Sequence, residues 1–136
     1  MQTSQTIDKL AWIQIVDGQI LITRSIGKDV YYIPGGKREP GESDLEALKR
    51  EVREELSVCL VDETIEYLGT FEAQAHGKSE GTMVVMTCYT GDYAGTLAPS
   101  SEIEEMAWFT HQDRDRSSPV DKIIFDWLLA QDLIVV

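Results

Sequence analysis

Long apolar runs are missing from this chain. The longest uninterrupted aliphatic stretches, such as Met83–Met86 and Leu133–Val136, are four residues, against the roughly 20 that a bilayer-spanning helix needs. The opening MQTSQTIDKL has no basic end followed by an apolar stretch, so no secretion signal is expected. Cysteine is scarce. Cys59 and Cys88 are far apart, with neither metal-ligand spacing nor the density of a disulfide framework, and a cytoplasmic protein with reduced thiols is expected. No repeat, low-complexity tract or Pro/Ser/Gly linker divides the 136 residues, so residues 1–136 read as one domain, long enough to bury roughly two-thirds of the unfolded surface. Basic residues are also few: 12 Lys and Arg against 24 Asp and Glu, a net charge of −12. Such a surface repels duplex nucleic acid and anionic membranes, and neither is expected as a partner. A phosphate ligand would need its charge met by something other than a basic face, and a bound divalent cation is the natural candidate.

What is present is ordinary for a globular domain, with 43% apolar and 26% charged residues. Leu10–Val16 and Gln19–Arg24 flank Asp17-Gly18, a two-residue hairpin signal. Val30–Ile33 reads as a short strand that runs into a turn at Pro34-Gly35-Gly36. Ser43 and Glu46 form a capping box for a helix whose Leu45, Leu48, Val52 and Leu56 recur at helical spacing. Ile65–Ala75 and Thr82–Tyr89 read as strands joined through a turn at Gly77–Gly81, and Met106–Phe109 as a short strand. A last helix begins at Ser118-Pro119, with Ile123, Ile124, Trp127 and Leu128 as its packing face. Strands outnumber helices and separate them, which predicts a mixed α/β or α+β sandwich whose helices cover a largely antiparallel or mixed sheet.

The first helix carries the chemistry. Glu51, Glu54 and Glu55 occupy positions i, i+3 and i+4, on one face beside the Leu48–Val52–Leu56 stripe, with Lys49, Arg50 and Arg53 on the other sides. An unrelieved Glu51–Glu55 pair costs about 0.2–0.5 kcal/mol of helix stability, which a cation between them would offset. Clustered hard oxygen ligands suit Mg²⁺ or Mn²⁺ with waters that a phosphate can displace. A solvated, glutamate-rich face is the alternative reading of those three residues alone. The Gly35-Gly36 turn and the bases Lys37 and Arg38 precede the helix, and such a loop can turn backbone groups toward an anion.

The segment Gly36–Val58, GKREPGESDLEALKREVREELSV, resembles the Nudix box, the pattern G-x5-E-x7-R-E-U-x-E-E-x-G-U with U aliphatic. Gly36, Glu42, Arg50, Glu51, Val52, Glu54, Glu55 and Val58 fall on its fixed positions. Ser57 stands where the family has glycine. If that position ends the helix with a positive φ, serine costs about 1 kcal/mol there.

The resemblance implies a Nudix-type α/β/α sandwich that hydrolyses a phosphoanhydride in a nucleoside diphosphate linked to another group, releasing a nucleoside monophosphate. It implies Mg²⁺, with Mn²⁺ as a substitute, held by Glu51, Glu54, Glu55 and a carbonyl of Gly35 or Gly36. It further implies that Arg50 and Glu42 form an internal pair that orients a catalytic carboxylate. The general base of many relatives lies in a later loop, a position loosely matched here by Glu102 and then by Glu105. In the string ILITR, which resembles the MutT branch, Arg24 is implied as a phosphate contact, and Lys37 and Gly36 are placed beside it as substrate contacts. The expected partner is a small nucleotide, with a homodimer left open. A Nudix domain that senses a nucleotide without cleaving it is the alternative, although such domains usually have eroded carboxylates and these are complete. His76 and His111 stand in no ligand motif. Trp12, Trp108 and Trp127 read as core, and Cys59 and Cys88 as buried thiols.

Overall fold

The hairpin signal at Asp17-Gly18 is realised as a tight turn. Both residues have positive φ (53° and 76°), and β2 (Ile15–Val16) pairs antiparallel with β3 (Gln19–Ser25) across it. The computed structural model describes residues 5–75 and 81–136. His76 and most of the expected 77–81 turn lie outside the described residues.

The order continues from β1 (Gln5–Trp12), which precedes that hairpin, to β4 (Gly35–Lys37) and α1 (Asp44–Leu56). Next come β5 (Cys59–Leu60), β6 (Glu66–Gln74), β7 (Thr82–Thr90), β8 (Tyr93–Ala94), β9 (Ile103–Phe109) and α2 (Pro119–Ala130). One sheet has the order β4-β1-β7-β6, a second β2-β3-β9, and a short third pairs β5 with β8. Strand β1 runs parallel to β7, and the other strand pairings among the described residues are antiparallel.

Alternation along the strands divides the core in two. Leu10, Trp12 and Leu21 pack with Ala47, Leu48, Val52 and Leu56 of α1. Their sequence neighbours Ala11, Ile20 and Ile22 face the other way and pack with Val120, Ile124, Phe125 and Leu128 of α2. The helices therefore cover opposite faces, an α/β/α sandwich around a mixed, largely antiparallel sheet.

Several local expectations need correction. Residues 30–33 form no regular strand, only single bridges from Tyr31 to Ser117 and from Tyr32 to Thr23. The segment expected to turn at Gly35-Gly36 is instead β4, paired with Lys9–Ala11 of β1. A Cβ on Gly35 (φ 143°) would land on the Leu10 carbonyl, so glycine here permits close backbone approach rather than chain reversal. Strand β9 begins at Ile103, earlier than expected. Leu45 and Ile123 are exposed, and Ala47 and Phe125 fill the buried faces of their helices. Trp108 is 37% exposed, on a strand with only one strand neighbour in its sheet. Cys59 is exposed because β5 turns Leu60 inward in its place, whereas Cys88 is buried.

Candidate active site

The capping box fixes where α1 starts. Glu46 N–H donates to Ser43 Oγ at 3.2 Å, and Ser43 N–H donates to Glu46 Oε1 at 2.9 Å. The resulting helix phase turns Glu51 and Glu55 toward β4, where they line a cleft of about 290 Å³. Gly35, Gly36 and Lys37 form one wall, Thr23 and Ser25 of β3 another, and Glu102 and Ile103 a third.

Glu55 is only 7% exposed. Burial pushes its carboxyl up to about 8, with the Gly35 N–H (3.1 Å) opposing and the charges of Glu51 and Glu102 adding to the rise. Burial also raises Glu51, against the pull of Arg50. A Cβ on Gly36 would collide with the Glu51 carboxylate, so that glycine lets the acid lie against the backbone of β4.

Arg50 does not lie apart from the acids, as helix phase alone suggested. Its long side chain reaches back so that Nη1 donates to Glu51 Oε1 at 2.8 Å and to Glu54 at 3.3 Å. Nε and Nη2 grip Glu42 in a bidentate pair (2.7 and 2.9 Å), and Nη2 also donates to the Lys37 carbonyl at 3.1 Å. Arg50 first, and then the Glu39 N–H, hold Glu42 down at about 2. This is the loop-to-helix lock expected of the Glu42–Arg50 pair.

The three helix carboxylates are thus not equivalent. Glu51 and Glu55 sit in the cleft, whereas Glu54 is half-exposed and turned toward Arg50. Among the described residues no three His, Cys, Asp or Glu side chains are drawn together as a metal cluster. The chemistry of the donors nevertheless fits a hard divalent cation: among the described residues, Glu51, Glu55 and Glu102 bring carboxylates to the cleft, and no histidine or cysteine lines it.

Arg24 is placed elsewhere. On β3, Thr23 and Ser25 face the cleft, so alternation sends Arg24 to the opposite face. There it is bound to Glu104, Glu105 and the Lys28 carbonyl. Of the two acids weighed as general base, Glu102 lines the cleft and Glu105 is the partner of Arg24.

Sequence reasoning missed Lys9 and Asp121. Lys9 lies in β1 directly opposite Lys37 of β4, and both line the cleft. Like charges so placed destabilise a strand pair, and an anion between them would offset this. Burial lowers the Lys9 pKa, opposed by Asp121, Glu55 and Glu51. A base directly before the apolar run Leu10–Ile13 was the available signal. Asp121 is fully buried at the start of α2, where its Oδ2 accepts from Ser118 Oγ (2.9 Å) and the Ile33 N–H (3.3 Å), while Oδ1 has no partner among the described residues. Burial raises its carboxyl to about 7. Close by, a second pocket of about 150 Å³, lined by Ile7, Ala75, Val84 and Val120, shares Lys9, Tyr32, Lys37 and Met86 with the cleft.

The family model for the NUDIX domain matches residues 10–128. The chain is 24% identical over 115 residues to the uncharacterized Nudix hydrolase YvcI of Bacillus subtilis, covering 83% of this chain and 73% of that protein. It is 26% identical to the E. coli ORF135 protein, whose solution structure superposes with a TM-score of 0.75 over 95% of this chain and 92% of that one. The MutT protein of Methanosarcina mazei Go1, at 18% identity, has the same fold with a TM-score of 0.76 over 97% of this chain and 99% of that one. The box on α1, the sandwich around it and these likenesses agree, and the chain belongs to the Nudix hydrolase family, enzymes that cleave phosphorus-containing anhydrides in nucleoside diphosphate derivatives.

Proposed function

We propose that residues 1–136 act as a single Mg²⁺-dependent pyrophosphohydrolase, which cleaves a nucleoside diphosphate linked to another group and releases a nucleoside monophosphate. The observation that carries this reading is the pair of cleft carboxylates, buried Glu55 and half-buried Glu51, the latter packed against the β4 backbone at Gly36. Glu51 and Glu55 from within the cleft, Glu54 from its rim and the Gly35 carbonyl would hold the cation. When bound, Mg²⁺, or Mn²⁺ in its place, offsets phosphate charge and acidifies a water.

The remaining roles belong to the chain itself. Lys37 and Lys9 face each other across β1 and β4 and bind phosphate oxygens between them. Gly36, by letting the Glu51 carboxylate lie against β4, sets that acid on the wall that the diphosphate meets. Glu102 accepts the proton of the attacking water. Arg50, anchored by Glu42, fixes the orientation of Glu51 and Glu54. The apolar second pocket receives the nucleoside, so that the diphosphate spans the shared Lys9–Tyr32–Lys37 wall.

Product chromatography over a panel of nucleoside triphosphates, diphosphates, nucleotide sugars and dinucleotides, with and without Mg²⁺, tests the reading. A nucleoside monophosphate that forms only with the metal is the expected product. Tight nucleotide binding with no metal-dependent product would instead identify a sensing domain.

A further inference from the structure

Arg24 carries a role that its position on the far face of β3 makes visible. Its Nε and Nη2 donate to Glu105 Oε1 at 3.1 and 2.7 Å, and its Nη1 donates to Glu104 Oε1 and to the Lys28 carbonyl, both at 2.8 Å. These bonds engage all three guanidinium nitrogens within the protein. They sit on a break in strand register, where Arg24 pairs with Glu105 but Ser25 pairs with Ile103, leaving Glu104 as the extra residue of a bulge. A bulge re-aims the side chains beyond it. Strict alternation would turn Ile103 to the face of Arg24, whereas the extra residue returns it to the cleft beside Ser25. Immediately before it, Glu102 is held by its carbonyl, which accepts from the Ile26 N–H at 2.8 Å.

The other end of this segment is fastened to α1. The Ala98 N–H donates to the Leu56 carbonyl (3.0 Å) and the Ser100 N–H to that of Glu55 (2.9 Å), while Ser100 Oγ donates to the Glu54 carbonyl. The loop therefore caps the helix through the peptide units of Glu54 and Glu55 themselves. Ser57, in the left-handed conformation with φ 65°, adds what the family glycine lacks. Its Oγ donates to the Ala98 carbonyl at 3.3 Å and lies 3.2 Å from Ser100 Oγ.

We propose that residues 98–105 form an arm held at one end by the Arg24 fork and at the other by the Ser57–Ser100 clasp, and that Arg24 is thereby a positioning residue for Glu102. This rests on the assignment of Glu102 as general base. Arg24 touches no substrate. It also neutralises Glu104 and Glu105, which would otherwise repel the arm from the acids of α1.

The test uses the full chain and its best nucleotide from the panel, with Arg24→Met, Arg24→Lys, Ser57→Gly, Glu102→Gln and the Arg24→Met/Glu102→Gln pair. Amide hydrogen exchange of Ile26, Ser100 and Ile103 is followed in parallel without metal. Arg24→Met should lower kcat roughly 10–30-fold with KM within about twofold, and Arg24→Lys should recover part of the loss. The same change should add less than about twofold once Glu102 is Gln, since the two act as a unit. Exchange at Ile26 and Ile103 should quicken. Ser57→Gly, which removes a positive-φ serine and therefore folds at least as well, should quicken exchange at Ser100 and lower kcat about threefold.

A raised KM with unchanged kcat in Arg24→Met would make Arg24 a substrate contact and overturn the inference. Additive losses or unchanged exchange would overturn it as well. Full turnover by Glu102→Gln removes the catalytic role of the arm, whereas absence of turnover in the unmodified protein, with exchange still quickened in the variants, overturns the functional reading and leaves the anchoring intact.

Discussion

The two helices cover opposite faces of the same sandwich and are built on different principles. Helix α2 turns Val120, Ile124, Phe125 and Leu128 into one apolar core, with Asp121 as its single buried charge-bearing residue. Helix α1 also buries an apolar stripe, yet it carries Glu51 and Glu55 into a cleft where burial disfavours their charge, with Arg50 holding Glu51 and the Gly35 N–H holding Glu55. Each helix buries a carboxylate, but Asp121 accepts from Ser118 and the Ile33 N–H inside the fold, whereas Glu55 and Glu51 line an open cleft. The contrast teaches that α2 serves the fold, whereas α1 gives up stability for a site.

Truncation should separate the two most strongly. Phe125→Ala leaves a cavity in the α2 core and should cost about 3–5 kcal/mol in denaturant unfolding. The turnover of the protein that remains folded should be nearly unchanged. Glu55→Gln on the other face should do the reverse, lowering kcat at least about a hundredfold, worth about 2.7 kcal/mol of barrier, without loss of stability. A Glu55→Gln variant that unfolds early but turns over normally would erase the distinction.

Acidity sharpens the comparison on a finer scale. The Glu55 carboxyl rises in the folded protein to about 8, and that of Asp121 to about 7. A carboxyl raised by folding favours the native state below its unfolded value and loses that contribution as pH climbs through the folded one. Metal-free protein should therefore lose stability between about pH 4.5 and 8, and Glu55→Gln should flatten that decline in melting curves. Glu42 has the opposite sign. Held down at about 2 by Arg50, it adds stability above about pH 4.5 that disappears as pH falls toward 2, a slope that Glu42→Gln should remove.

The smallest effect belongs to the end of α1. Ser57 adopts a left-handed conformation that glycine takes freely, so Ser57→Gly should raise stability by up to about 1 kcal/mol in the same unfolding assay, less whatever its hydroxyl bonds contribute.

Much of this contrast was legible in the amino-acid order. The capping box at Ser43 and Glu46 and the Asp17-Gly18 turn are short-range patterns that appear where expected, whereas of the acids on one helical face only Glu51 and Glu55 reach the cleft. What escaped depends on tertiary neighbours. Gly35-Gly36 looks like a turn until β1 lies alongside it, when close approach to Leu10 becomes the reason for the glycines. Arg24 ends a strand in a string that suggests a phosphate contact, but the parity of β3 relative to the cleft decides its face. Lys9 and Asp121 belong to no motif, and only tertiary packing brings Lys9 beside the acids of α1 and Asp121 under the Ile33 N–H. Arg50 shows the limit of helix phase, because an extended arginine can reach carboxylates that lie on a different side of the wheel.

The central claim is that the cleft acids of α1, Glu51 and Glu55, support metal-dependent cleavage. Its most direct test is nucleoside monophosphate release by the unmodified chain and by Glu55→Gln, each with Mg²⁺ and with chelator. Turnover confined to the unmodified chain with Mg²⁺ is the predicted result, and release that persists in chelator or survives Glu55→Gln undiminished would contradict the claim.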